Sequence, residues 1–234
     1  MIDLNKHKFI IVQILKDIYS DLEIANELGF KGGTALMLFY DLPRFSADID
    51  FNLLNISKSN FIYEKVKKIL TKYGRIKDEA EKHFGIILVL DYGENERNLK
   101  IEISKRKYDN RYEIKDFLGI KMKVMNISDM FAHKLCALLD RKFLTNRDIF
   151  DCWFFMQNRI AINKNIVEIR TKTELKIYLN NCISSIEKIK KTSLLNGLGE
   201  LMNDEMKNFV KNKLKSETIS LLKLFAKFPI IEKN

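Results

Sequence analysis

The strongest constraint on this chain is a change of hydrophobic period near residue 125. Upstream of it, three runs around Arg75 to Ala80, Phe84 to Tyr92 and Leu99 to Lys105 are apolar or alternating, separated by polar turns such as Glu81-Lys82 and Gly93-Glu94-Asn95. Runs with a period of two are strands, and their close spacing predicts an antiparallel meander. A further short strand is expected near Lys121 to Met125. From Ile127 onward apolar residues return at helical spacing, which predicts helices over Ile127–Arg141, Asn146–Gln157, about 172–191 and about 200–227. The chain therefore divides into an α/β domain, residues 1–125, and a helical domain, residues 126–234. No Pro-, Gly- or Ser-rich linker lies between them, so the two are expected to pack together.

Composition removes whole classes. With 46% hydrophobic and 31% charged residues, two prolines and nine glycines in 234 residues, the chain is neither collagen-like, a disulfide scaffold nor disordered. Cys136, Cys152 and Cys182 form an odd set without a CxxC pair, as expected of reduced thiols in a cytoplasmic protein. Lys6, Lys8, Lys16 and Asp17 interrupt the apolar N-terminus, and no stretch approaches the roughly 18 apolar residues of a membrane span, so no membrane partner is expected. Residues 1–120 carry 20 basic and 19 acidic side chains, and residues 121–234 carry 21 and 12. A positive second half suits a polyanionic partner, because Lys and Arg placed at phosphates release counterions; a lysine-rich compositional bias without any nucleic-acid role is the alternative.

The candidate chemistry lies in the first domain. Residues 6 to 28 show helical spacing (Ile11, Ile14, Leu15, Ile18, Leu22) and predict an opening helix or helix pair closing at Gly29. Gly32 and Gly33 follow, then a short helix opening at Thr34, a turn holding Pro43, and the alternating Asp48-Ile49-Asp50-Phe51. On a strand Asp48 and Asp50 share a face while Ile49 and Phe51 point inward, so the two carboxylates can share divalent cations. Gly32 and Gly33 leave backbone N–H groups approachable by a phosphate at the helix N-terminus, and Thr34 adds a hydroxyl. The order of a glycine turn, one short helix and an acidic strand resembles that in which nucleotidyltransferases build a triphosphate site; an ordinary turn with an N-cap threonine is the alternative.

The strings Lys31-Gly32-Gly33-Thr34-Ala35-Leu36 and Arg44-Phe45-Ser46-Ala47-Asp48-Ile49-Asp50-Phe51 resemble the AbiEii/AbiGii family of nucleotidyltransferase-like toxins, within the polymerase-beta-like superfamily. The superfamily more often has Gly-Ser where this chain has Gly33-Thr34. The resemblance spans about residues 25–155 and implies an α/β (α+β) nucleotidyltransferase fold with a short mixed sheet, joined to a helical C-terminal half. A third carboxylate on a later strand is expected of such a site. Glu102 in Lys100-Ile101-Glu102-Ile103-Ser104 is the candidate, Asp91 the reserve, and a surface glutamate pairing with Lys100 or Lys105 the structural alternative.

The block from Ala132 to Arg141, followed by Asn146-Arg147-Asp148-Ile149-Phe150-Asp151, is similar to the family's K…R…RDxxD segment. Lys134 could hold a nucleotide phosphate, with Asp148 and Asp151 orienting it or touching nucleotide or acceptor; a charged network joining two helices is the alternative. The implied enzyme uses Mg²⁺ or Mn²⁺ held by Asp48, Asp50 and Glu102, and binds an NTP through Gly32, Gly33, Thr34, Arg44, Ser46 and Lys134. It would transfer NMP to an acceptor, RNA and specifically a tRNA 3′ end, as the toxin of a toxin–antitoxin or abortive-infection system with a cognate antitoxin. A binding protein without catalysis, or a transferase with a small-molecule or protein acceptor, are the alternatives. His133 and Cys136, with His7 and His83 elsewhere, make no zinc quartet, so a partly buried histidine is expected. Trp153, Phe154 and Phe155 are expected to close the helical core. Two lysine-rich faces (Lys188, Lys190, Lys191; Lys207, Lys211, Lys213, Lys215) are either solvated surface or an RNA grip.

Overall fold

The computed structural model describes residues 3–94, 96–140, 144–190 and 194–232. Asn95, Arg141 and Lys191, named above, lie outside the described residues. By its internal contacts the chain forms two compact units. The first comprises Met1–Asp41 and Phe45–Met125, the second Leu42–Arg44 and Asn126–Asn234.

The first unit opens with α1 (Leu4–Ser20), whose N-terminus is capped by the Asp3 carboxylate accepting from the amides of Asn5 and Lys6. Its apolar stripe Ile11, Ile14, Leu15 and Ile18 is fully buried. After a single helical turn, α2 (Leu22–Ala25), the chain enters β1 (Leu28–Lys31), so Gly29 sits inside a strand and does not stop a helix. A side chain at Gly29 would run into the Tyr112 ring, which is why the strand carries a glycine there. The next elements are α3 (Gly32–Phe39), β2 (Ile49–Leu53), α4 (Ser59–Leu70), β3 (Arg75–Lys82), β4 (Gly85–Asp91), β5 (Leu99–Ser104), β6 (Tyr112–Phe117) and β7 (Ile120–Met125).

All seven strands join one mixed sheet in the order β3-β4-β5-β2-β1-β7-β6. The meander β3-β4-β5 is antiparallel as expected, β2 runs parallel to β5 and antiparallel to β1, and β1 runs parallel to β7. The inner face holds Phe30, Phe51, Ile49, Ile101 and Ile103, all fully buried. β6 was not anticipated. It pairs with β7 through a turn at Leu118 and Gly119, both with positive φ, closed by the Gly119 amide on the Asp116 carboxylate.

The second unit is helical: α5 (Ile127–Asp140), α6 (Asn146–Gln157), α7 (Lys164–Thr171), α8 (Leu175–Glu187), α9 (Asp204–Phe209) and α10 (Lys215–Lys227). The expected helix at 172–191 begins later, because Lys172 adopts the left-handed conformation and ends α7. The expected run 200–227 is broken into α9, a π turn at Val210–Leu214 and α10. Phe131 and Phe155 stack at 4.8 Å in its core. Phe154 is buried, whereas Trp153 is half-buried and donates its indole N–H to Glu217. Among the described residues no helix is long and apolar enough to cross a membrane.

Candidate active site

Register decides which side chains meet on the sheet. Lys31 on β1 lies opposite Asp50 on β2, Asp50 opposite Glu102 on β5, and Glu102 opposite Ile87 on β4. Cross-strand partners project from the same face, so Lys31, Asp50, Glu102 and Ile87 form one row, opposite to the buried Phe30, Phe51, Ile101 and Ile103. Asp48 sits just before β2, two residues from Asp50. The Lys100 ammonium lies 3.1 Å from the Glu102 carboxylate and 4.0 Å from that of Asp48. Burial holds the Asp50 carboxyl above the usual carboxylate range; Lys31 and Lys100 oppose the shift while Glu102 and Asp48 add to it. The reserve candidate Asp91 stands apart, bound by the Arg75 guanidinium at 2.8 Å.

Gly32 begins α3 with a φ of +82°, and a Cβ there would meet the Asp50 carboxylate. The position thus needs glycine twice, for its backbone and for the acid beside it. Lys31 occupies the N-cap without a side-chain cap, which leaves the first-turn N–H groups at Gly32 and Gly33 oriented for an anion. Thr34 behaves differently from Gly32. Its hydroxyl is buried and donates to the Asp48 carbonyl, with a longer contact of 3.5 Å to the Ser46 carbonyl. The carbonyl between them, that of Ala47, accepts from His7 Nε2 at 2.9 Å.

His7 is fully buried on α1, and its Nδ1 accepts from the Tyr92 hydroxyl at 2.6 Å. A carbonyl only accepts, so a proton sits on Nε2, and with a neutral ring Nδ1 accepts from Tyr92. Burial accordingly lowers its pKa. Three consecutive carbonyls leading into the acidic strand are therefore held by two side chains from α1 and α3. Sequence reasoning missed His7, because a single histidine in an apolar stripe carries no spacing signal.

The other expected site residues belong to the second unit. The Arg44 guanidinium grips Asp151 with two bonds, Nε to Oδ1 at 2.7 Å and Nη2 to Oδ2 at 2.8 Å, both groups buried. Lys134 on α5 binds Asp151 at 2.8 Å and Asp148 at 3.3 Å. Thr145 caps α6 and donates its hydroxyl to Asp148 at 2.6 Å, while its Oγ1 accepts from the Asp148 amide. Burial alone would raise the Asp151 pKa, yet Arg44 and Lys134 bring it to about 2. Burial works against the charge on Lys134, and the carboxylates of Asp151 and Asp148 outweigh it and raise its pKa. Ser46 is buried in the first unit. His133 interacts with Arg170, Cys136 is buried with its thiol pushed up to about 12, and Lys207 and Lys215 engage Asp204 and the carbonyls of Glu187 and Ile189.

Asp48, Asp50 and Glu102 offer only carboxylate oxygens, the donors that hard divalent cations take. The half-buried Asp50, with Glu102 and Asp48 near it, is a group that a cation would relieve, so the donor chemistry fits. Among the described residues no three ligating side chains converge on one point as they stand, and Lys100 supplies the local countercharge.

A glycine-led helix N-terminus, an acidic strand after it and a further acid in register on the parallel neighbour are the parts expected of a nucleotidyltransferase. A family model described as the nucleotidyl transferase AbiEii toxin of type IV toxin–antitoxin systems matches residues 13–219, and the chain belongs to this family. No curated protein matches the chain. Among solved structures, JHP933 from Helicobacter pylori is similar with a TM-score of 0.66 at 21% identity, over 97% of this chain and 94% of that one. An H. pylori protein described as a candidate nucleotidyltransferase gives 0.63 at 21%, over 95% and 94%. An antigenic nucleotidyltransferase-like protein from Paracoccidioides brasiliensis gives 0.52 at 14%, over 82% and 94%. These likenesses are of fold.

Since His7 holds the carbonyl before Asp48, His7→Ala is expected to reduce nucleotidyl transfer roughly 10- to 100-fold through misplacement of the acid. His7→Gln, which keeps a donor near Ala47, should recover part of the rate with NTP affinity unchanged in both variants. Equal rates for the two would show that His7 serves packing alone.

Proposed function

We propose that the protein transfers NMP from an NTP to the 3′ end of an RNA, tRNA being the first acceptor to test, and that a cognate antitoxin restrains it. The observation that carries the reading is the register pair Asp50 and Glu102 with Asp48 beside them, on the face adjoining the uncapped N-terminus of α3. Mg²⁺ or Mn²⁺ held by Asp48, Asp50 and Glu102 would supply charge neutralisation at phosphate oxygens and lower the pKa of an attacking hydroxyl. The chain's own contribution is positioning. Gly32 and Gly33 offer backbone N–H groups to phosphate, while Thr34 and His7 fix the segment that presents Asp48. Lys31 and Lys100 moderate the negative row until the nucleotide arrives.

In the second unit Lys134 is kept charged by two carboxylates with 21% of its side chain exposed, which supports a role in meeting an anion. Arg44, Asp148 and Asp151 support that role by holding it in place. The AbiEii family's place in type IV toxin–antitoxin systems favours an antitoxin for this chain.

The test is transfer of label from each α-labelled NTP, with Mg²⁺ or Mn²⁺, to total RNA and to protein. Label on a tRNA-sized band that vanishes with Asp48→Ala is expected. Persistence of label in that variant would remove the carboxylates from the mechanism. The ion pair between Lys100 and Glu102 favours a second reading, a nucleotide-binding scaffold without turnover. That reading requires NTP binding with no label on any acceptor.

A further inference from the structure

Beyond the carboxylates, β4 and β5 end in a surface that the motifs above do not include. Phe84, between β3 and β4, is 57% exposed, far more than a core aromatic. The Arg106 guanidinium lies over its ring at 5.2 Å from the centroid, and the His83 ring meets it edge-on at 4.5 Å. Lys82, His83, Arg106 and Lys107 are all exposed, and Lys105 beside them is paired with Glu81 at 2.6 Å. The patch is anchored to the sheet, since the Lys105 amide donates to the Phe84 carbonyl at 3.0 Å and Gly85 pairs with Ser104. Ile87 lies opposite Glu102, so Phe84, three residues earlier, is roughly 10 Å along the strand direction from the candidate acid.

An exposed ring flanked by a stacked guanidinium, an imidazole and lysines has the chemistry of a platform for an unpaired base and its phosphates. A buried aromatic would serve packing, and a solvated lysine cluster would carry no ring at its centre. From this geometry we infer that the Phe84 patch binds the single-stranded end of a nucleic acid, stacking one base on Phe84 with Arg106, Lys82 and Lys107 at the backbone. The inference rests on the reading of RNA as acceptor and locates where the strand leading to the reacting end is held. Sequence-tolerant binding is expected, because every base offers a π face.

The experiment is fluorescence anisotropy of the full chain with a labelled RNA hairpin carrying a single-stranded 3′ tail and with the same hairpin blunt-ended, at two salt concentrations. The tailed RNA should bind more tightly. Phe84→Ala should lose about tenfold for the tailed RNA alone, Phe84→Trp should recover it, and Arg106→Gln should lower the salt slope by about one. Circular dichroism of these surface variants should match the parent. Tailed and blunt RNA binding alike, or unchanged tail binding in both Phe84→Ala and Arg106→Gln, would overturn the inference. Label transfer that proceeds while Phe84→Ala leaves tail binding intact removes this platform and keeps the transferase. Tail binding that depends on Phe84 without any transfer keeps the platform and removes the transferase.

Discussion

Arg44→Ala is expected to destabilise the second unit by about 3–5 kcal/mol, the cost of leaving a buried carboxylate short of its partner. Asp151 is fully buried and receives two guanidinium bonds, so Lys134 alone would remain to hold its charge. Arg44→Lys keeps the charge but not the forked geometry, and should recover about half of the loss. Urea unfolding followed by the fluorescence of Trp153, the single tryptophan and a residue of this unit, reads both values. The Asp151 pKa is depressed to about 2, so the network's contribution is complete above the ordinary carboxylate range and disappears as pH falls through that range toward 2. The gap between parent and Arg44→Ala should therefore narrow in acid. A gap independent of pH would mean that the loss is one of packing.

Asp50→Asn should separate stability from activity in the opposite direction. Burial raises the Asp50 pKa, so ionising it costs the folded state. For a raised acid the penalty is absent below the ordinary pKa and grows as pH rises through it toward the shifted value. The amide removes that penalty. With EDTA present, Asp50→Asn should melt above the parent at pH 7, and the difference should shrink toward pH 4. On the proposal that Asp50 helps to hold the divalent cation, transfer should fall by at least about 100-fold, because the amide removes an anionic ligand. A variant that melts lower at pH 7 would show that Asp50 is held by compensating partners instead of being destabilised where it stands.

Legibility followed the strength of local signals. The alternation around Asp48 to Phe51 and in Lys100 to Ser104 was readable because each strand buries one face, and the register then brings Asp50 opposite Glu102. The helices of the second unit were visible at 127–140 and 146–157, where an apolar stripe and a Thr145 cap coincide. β1 was concealed because Leu28 extends the helical spacing of the preceding residues, and only a partner on either side makes those four residues a strand. β6 was hidden because it is an edge strand with Glu113, Ile114 and Asp116 exposed, and its turn places Leu118, a residue uncommon at positive φ, beside Gly119. The clamp on the acidic segment was illegible for a different reason. His7, Thr34 and Ala47 are far apart in sequence, and a hydrogen bond to a carbonyl leaves no trace in residue type. The Arg44 pairing was illegible for the same reason: Arg44 stands in one string with Asp48, and its guanidinium is bound to Asp151, 107 residues away.

That excursion at Leu42–Arg44 bears on how the molecule may be dissected. The change of hydrophobic period invites a cut at residue 125, yet such a cut divides the chain and not the units. A fragment ending at Met125 would carry Arg44 as an orphaned cation. The complementary fragment would hold Asp151 without its two guanidinium bonds. Each piece would inherit an electrostatic debt that the intact polypeptide settles by lending three residues of one unit to the other, so this is a protein to be handled whole.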